Sequence, residues 1–258
     1  MSLLSLSGLS VRRGARVVLN EATLDIGAGE CVGLIGPNGA GKTTLMRAAL
    51  GLLPHLGTSS LARMPAAARA RAAAWLPQTR DIAWPVSVER LVTLGRLPHL
   101  RPGQAPGPDD RAAVAQVLER LDLAGFADRP ATDLSGGEQA RVLIARALVQ
   151  DTPLILADEP VAGLDPAHQL TTMQTFRALA DDGKAALVAL HDLGLALRYC
   201  TRLVMLQAGR VVADGPPRKV LTAGRVAQVF GITALMLDSA EGPVFQPLAV
   251  TGATEGDS

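Results

Sequence analysis

The chain has 258 residues, enough for one large domain or a core with a subdomain and a sizeable buried interior. Its 25 basic and 24 acidic residues almost cancel, which excludes a global field for recruiting nucleic acid or an acidic membrane surface. Hydrophobic residues make up 48%, yet no run of about 18 apolar residues is present to span a bilayer, so any membrane role runs through a partner.

The start, MSLLSLSGLSVRRG, is apolar first and basic only at Arg12 and Arg13, the reverse of a secretory signal, and reads as a first β-strand. CVGLI, at Cys31 to Ile35, reads as a buried strand. Directly after it, GPNGAGKTT spans Gly36, Pro37, Asn38, Gly39, Ala40, Gly41, Lys42, Thr43 and Thr44, fits GxxxxGK[ST], and precedes the helical pattern LMRAAL. Glycines there let successive N–H groups point at phosphates, and the following helix offers its positive end. Lys42 is placed at the β- and γ-phosphates, Thr43 at Mg²⁺, and Thr44 at the α-phosphate. No NKxD-like guanine-reading segment occurs, which favours ATP.

Gln78 follows AAAWLP where the texture changes, so it stands between the metal and a separate helical segment. From there to Gln150 the chain reads as an inserted helical subdomain. Within it, DRAAVAQVLERLDLAGF is helix-like, while the four prolines and three glycines of GRLPHLRPGQAPGPDD predict no regular element. LSGGEQAR, Leu134 to Arg141, carries an S-x-x-E capping box in Ser135 and Glu138. Gly136 and Gly137 in its first turn each cost about 1 kcal/mol of helix propensity relative to alanine. A mere cap has no reason to accept that cost, whereas bare backbone N–H groups suit close contact with a phosphate.

PLILA, AALVAL and RLVML complete a set of short apolar runs expected as parallel strands with crossover helices, an α/β core. Asp158 and Glu159 end the first of them. Side chains alternate along a strand, so neighbouring acids are expected to divide the work. Asp158 fits a direct or outer-sphere Mg²⁺ role, and Glu159 fits polarisation of the water that attacks the γ-phosphate. His191 ends the next run at the same strand-end edge, and Asp192 reads as the N-cap of the following helix. His55, His99 and His168 lack metal-ligand spacing and read as surface or loop residues. Cys31 and Cys200 form neither a zinc nor a disulfide pattern and read as reduced thiols. The polar end, TGATEGDS, is expected to be disordered.

Taken together, LSGGE, the P-loop, Gln78, LILADEP and His191 resemble the ordered motifs of ABC ATPases, the nucleotide-binding subunits of ABC transporters. The likeness covers nearly the whole chain. It makes Gly36 to Thr43 the Walker A motif, Gln78 the Q-loop, Leu134 to Glu138 the signature, Leu154 to Glu159 Walker B, Ala162 to Asp165 the D-loop and His191 the switch histidine. The resemblance implies a P-loop NTPase fold with a RecA-like core, an antiparallel β subdomain and an inserted helical signature subdomain. The corresponding division is an ATPase domain at 1–230, with core 1–78 and 151–230 and helical part 79–150, followed by a C-terminal extension at 231–258.

The family also implies a head-to-tail homodimer, in which Ser135, Gly136, Gly137 and Glu138 of one copy close on ATP held by the other. Implied catalytic residues are Lys42, Glu159 and His191; implied Mg²⁺ residues are Thr43, Gln78 and Asp158; Asp165 belongs to the D-loop. Relatives often stack an aromatic residue on adenine near position 13, but SVRRGARVVL has none, so Arg13 or Arg12 is expected to stack instead. Two membrane permease subunits and, indirectly, a periplasmic or surface substrate-binding protein are the implied partners, at the cytoplasmic face of the cell membrane, with no nucleic acid. RARAAAWLPQ, SVERLVTLGRLPHL, DPAHQL and HDLGLALRYC look like ATPases of importers for iron-siderophore complexes, haem or cobalamin. Other ABC transport, by import or export, is the alternative. Soluble ABC ATPases acting on DNA or ribosomes carry a coiled coil, a zinc module or a second ATPase unit, none of which this sequence has.

Overall fold

A computed structural model describes residues 2–79 and 81–251. The first strands, β1 (Ser2–Arg13) and β2 (Arg16–Gly27), pair antiparallel through a hairpin at Gly14 and Ala15, and β1 also pairs with β4 (Leu56–Ser59). Between them lie β3 (Cys31–Ile35) and helix α1 (Lys42–Ala49). After β4 come α2 (Ala66–Ala72) and β5 (Ala73–Leu76). The helical segment holds α3 (Val88–Thr93), a 3₁₀ turn at Leu94–His99, α4 (Pro108–Arg120) and α5 (Gly136–Leu148). The chain then runs through β6 (Leu154–Asp158), α6 (Pro166–Asp181), β7 (Ala185–Ala189), α7 (Leu193–Tyr199), β8 (Arg202–Gln207) and β9 (Arg210–Gly215). Two short helices, α8 (Pro217–Val220) and α9 (Ala223–Phe230), lead to the hairpin β10 (Ile232–Ser239) and β11 (Gly242–Val250).

The central sheet has the order β5-β6-β7-β3-β8-β9, parallel except for β9. Every residue of β3, β6 and β7 is buried, which is why these strands read as unbroken apolar runs: both faces of the sheet are covered. Alternate residues feed two interiors. Val32, Leu34, Leu154, Leu156 and Leu187 pack with the antiparallel sheet and α1. Cys31, Ile35, Ile155, Ala157 and Val188 pack with the helical side, where Met173 and Phe176 of α6 are fully buried. Both cysteines are free and buried.

One expectation is corrected. The proline-rich stretch from Gly95 to Asp110 contains most of a 3₁₀ turn and the first turn of α4. Proline lacks an N–H, but a first helical turn needs none there, so Pro108 starts α4 instead of preventing it. The 3₁₀ turn is held against α5: a Cβ at Gly95 would lie 2.2 Å from the Arg146 carbonyl oxygen, so only glycine fits. Arg96 fastens the same segment, donating to Asp110 at 2.8 Å and to the Val149 carbonyl at 2.9 Å. The C-terminal extension forms the β10–β11 hairpin, with Met236 and Phe245 packed on the core. Residues 252–258, most of the stretch expected to be disordered, lie outside the described residues.

Asp110 also accepts the Gly107 N–H at 2.9 Å. The Arg96 hydrogen bond, then the Gly107 one, hold its carboxyl below the ordinary carboxylate range. A depressed folded-state pKa contributes stability above the unfolded carboxylate value and loses it as pH falls through the folded one. Asp110→Asn is therefore expected to be less stable than the parent at neutral pH, with the gap narrowing as pH drops from about 6 to about 3. Urea denaturation across that range checks it; a gap independent of pH would contradict the assignment.

Candidate functional site

The carboxyl ends of β3, β5, β6 and β7 lie along one edge of the sheet, and each delivers one part of the site. After β3, Gly36 has φ +151° and passes so close to β8 that a Cβ would sit 2.2 Å from the Leu206 carbonyl oxygen. Gly41, at φ 106°, is the N-cap of α1. It has no capping side chain and α1 has no acidic residue in its first turn, so the helix's leading N–H groups are left for an anion. Lys42 is buried and donates to the Gly36 carbonyl at 2.8 Å and the Pro37 carbonyl at 3.4 Å. Burial lowers its pKa, against the pull of Glu159 and Asp158.

Asp158 ends β6 with its side chain 1% exposed overall and neither carboxylate oxygen hydrogen-bonded. Burial raises its pKa, while the nearby Thr43 hydroxyl and Lys42 pull the other way. Glu159 has left the strand in a left-handed conformation, φ 52°. This differs from simple strand alternation. The turn lets its carboxylate meet Gln78, whose Nε2 donates at 2.7 Å, and the Nε2 of His191. Its backbone N–H donates to the Ala189 carbonyl at 3.2 Å, tying the ends of β6 and β7 together. The neighbouring acids thus have separate surroundings, as expected, although a backbone turn accompanies that separation. Asp192 caps α7, accepting the Leu195 N–H at 2.9 Å.

A cavity of about 460 Å³ contains the P-loop from Asn38 to Thr44, Gln78 and Glu159, with Arg13, Arg16 and Val18 closing one side. A second cavity, about 420 Å³, brings Thr43, Gln78 and Asp158 together. Arg13 lines this cavity, whereas Arg12 is absent from the lining, and its Nη2 donates to the Ala15 carbonyl at 3.4 Å. Arg16 escaped sequence reasoning. Its signal was the two-residue turn in RGAR, which makes Arg13 and Arg16 cross-strand partners.

The signature residues do not line the P-loop cavity. Ser135 caps α5, its Oγ accepting from the Glu138 N–H at 3.3 Å, and Glu138 accepts the Ser135 N–H at 2.7 Å. The Ser135 hydroxyl, which donates to the same carboxylate at 2.7 Å, and then the Ser135 N–H hold the Glu138 carboxyl below its ordinary range. A Cβ at Gly136 would meet nothing within 4 Å, and at Gly137 only Leu164 Cδ2 at 3.9 Å. Asp165 caps α6 and accepts from His168 twice, at its backbone N–H (3.0 Å) and at Nδ1 (2.5 Å). His168 is consequently a partly exposed residue of α6 engaged with the Asp165 cap. His99 Nε2 lies 2.7 Å from the Gln150 carbonyl oxygen.

A strand, a glycine loop closing on a helix start, a buried lysine and two acids at the neighbouring strand end define a P-loop nucleoside triphosphatase. The ABC transporter family matches residues 19–162. The chain is 43% identical over 230 residues to the "Hemin import ATP-binding protein HmuV" of Rhodococcus jostii (strain RHA1), covering 87% of this chain and 78% of that protein. It is 42% identical over 250 residues to the "Cobalamin import ATP-binding protein BtuD" of Halobacterium salinarum (strain ATCC 29341 / DSM 671 / R1), covering 93% of this chain and 62% of that protein. Among solved structures, the ATP-binding cassette MJ0796, described as a post-hydrolysis dimer bound to ADP and Pi, superposes with TM-score 0.74 at 27% identity, covering 83% and 99% of the two chains. A metal-chelate type ABC transporter in an inward-facing conformation shares the fold at TM-score 0.84 and 24% identity, over 98% of this chain and 99% of that one. The chain belongs to the ABC transporter family, and it is an ATPase of that family. No helix among the described residues is long and apolar enough to cross a membrane.

Proposed function

We propose that this chain hydrolyses ATP at the cytoplasmic face of a cell membrane to power import of a metal chelate of the haem, iron-siderophore or cobalamin kind. The names of its relatives support that cargo class. Two copies close head to tail, each holding ATP on its own P-loop under the other's Ser135, Gly136 and Gly137. The observation that carries this reading is the glycine pair. Neither glycine has a positive φ, and neither position is crowded by its own chain. With no internal reason for the missing side chains, their bare N–H groups are matched to a phosphate delivered from outside.

In the closed pair, Glu159 takes a proton from water as its oxygen attacks the γ-phosphorus and the bond to the β–γ bridging oxygen breaks. Gln78 and His191 hold that carboxylate in position, and Lys42 balances charge on the β- and γ-phosphates. Mg²⁺ fits beside them: Asp158 offers an unpartnered buried carboxylate, with Thr43 and Gln78 in the same cavity. Among the described residues no three acidic, His or Cys side chains converge in a way that could hold a metal ion by themselves. That suits an ion held by one or two protein oxygens together with the substrate's phosphates, whose negative charge it offsets when bound.

The core, 1–78 with 151–230, and the helical part, 79–150, move relative to each other as ATP binds. Two permease subunits, served by a substrate-binding protein outside, dock at a groove of about 320 Å³ lined by Ile82, Trp84, Val86, Leu91, Leu94 and Leu143. Trp84, 71% exposed and a few residues past Gln78, is its natural anchor.

Gly136→Ala with Gly137→Ala tests the shared site. Alanine favours the helix by about 1 kcal/mol per position, so the variant chain should melt at or above the parent's temperature. ATP-dependent dimerisation and turnover should nevertheless fall at least about tenfold, as contacts made only in the closed state are lost. Unchanged dimerisation, measured by light scattering with a slowly hydrolysed ATP analogue, would refute the cross-chain assignment.

A further inference from the structure

The near balance of charge excludes a global field but not a local one. Between Thr43 and Pro106 there are eight arginines and only two acids, Asp81 and Glu89, so the rest of the chain is net acidic. Helix α2 is where part of this excess is gathered. Arg69 Nη1 donates to the Met64 carbonyl at 3.4 Å and lies 3.5 Å from where a Cβ of Gly51 would stand, which seats α2 beside the turn that ends α1. Arg71 Nη1 donates to the Pro98 carbonyl at 3.4 Å, joining α2 to the 3₁₀ turn. Gln150 ties both together, its Nε2 donating to the Ala70 carbonyl at 2.6 Å and its backbone carbonyl lying 2.7 Å from His99 Nε2.

The surface so formed is bare. No residue of α2 is buried. Arg63, Arg71 and Arg101 are exposed, and neither they nor Arg69 has an acidic partner among the described residues. Leu97, directly before Pro98, is 58% exposed. The same 3₁₀ turn begins at Leu94, which lines the groove around Trp84, so the basic face adjoins that groove.

We infer that this face, made of α2, the turn before it and the 3₁₀ turn, rests on the anionic headgroups of a lipid bilayer, with Arg63, Arg71 and Arg101 as its cations. Unpaired guanidinium groups are drawn to acidic headgroups and hold their phosphates with paired N–H donors, while an exposed leucine among them enters the apolar boundary. A nucleic acid would gain from the cations alone. A permease seated at the Trp84 groove would bring the leaflet to the same side of the molecule. The lipid contact is additional to that docking and does not depend on it.

The test is sedimentation of the full chain, with no permease present, on large vesicles of phosphatidylcholine alone or with about 30% phosphatidylglycerol. The acidic vesicles should bind at least about thirtyfold more tightly at low salt, an advantage lost by about 0.3 M salt as screening shortens the reach of the charges. Arg63→Gln with Arg71→Gln and Arg101→Gln should bring binding to within about threefold of that to the neutral vesicles, and each single change should cost about fivefold. Lysine at all three positions should keep binding within about threefold of the parent, since it keeps the charge. ATP binding, measured alongside, should stay within about twofold in every variant, because none of the three arginines lines the P-loop cavity. Equal binding to both kinds of vesicle would overturn the inference, as would single and triple glutamine variants that bind like the parent. So would release of the chain by millimolar glycerol phosphate, which marks a pocket for a free phosphate, or tighter binding to duplex DNA at the same salt, which marks a nucleic-acid surface.

Discussion

Glu159→Gln is expected to bind ATP and hydrolyse it at least ~100-fold more slowly than the parent, accumulating as a closed dimer, because a positioned general base is removed from the attacking water. The amide has nearly the same shape as the carboxylate it replaces, and its oxygen can still accept from Gln78 Nε2, which lies 2.7 Å from the glutamate. Folding and nucleotide binding should therefore be close to normal, leaving proton acceptance as the lost property. Single-turnover phosphate release, with size exclusion in the presence of ATP, reads both halves of the expectation. Turnover near the parent's rate would remove Glu159 from the role of base. Slow turnover without a persistent dimer would instead mean that hydrolysis does not reopen the pair.

Lys42→Ala is expected to lose at least about 100-fold in ATP affinity, since truncating one member of a desolvated, hydrogen-bonded charge pair costs about 2–5 kcal/mol. The lysine has two tasks in the structure. It ties the loop by donating to the Gly36 and Pro37 carbonyls, and it places the site's one buried ammonium beside Glu159 and Asp158. Both tasks end in alanine, and the two acids then face an anionic substrate without that cation. Lys42→Met keeps much of the aliphatic stem and should still fail to bind, which assigns the loss to charge and not to packing. Calorimetric titration with ATP and Mg²⁺ decides it, and affinity unchanged in both variants would contradict the placement of the phosphates.

The sheet strands were legible because both faces are buried, which leaves an uninterrupted apolar run as their mark; β3, β6 and β7 all carry it. The P-loop was legible because its geometry demands particular residues at fixed spacing, as Gly36 and Gly41 show. Less visible were features set by distant contacts. Gly95 and Pro98 look like helix breakers until α5 and Arg96 are placed against the 3₁₀ turn. Arg16 looks like a surface residue until the hairpin register sets it opposite Arg13. The β10–β11 hairpin follows a chain region with weak alternation, and its order comes from Met236 and Phe245 packing onto the core. Glu159's partners were nearly hidden as well, since local sequence does not announce that a glutamate at a strand end will adopt φ 52°.

That left-handed backbone sets two selective pressures against each other at position 159. Glycine and asparagine sit there with less strain than glutamate, so a lineage or a library screened for thermal endurance alone would drift toward residues unable to abstract a proton. Glutamate at this spot thus carries a backbone strain that the proton-accepting role proposed for it would offset.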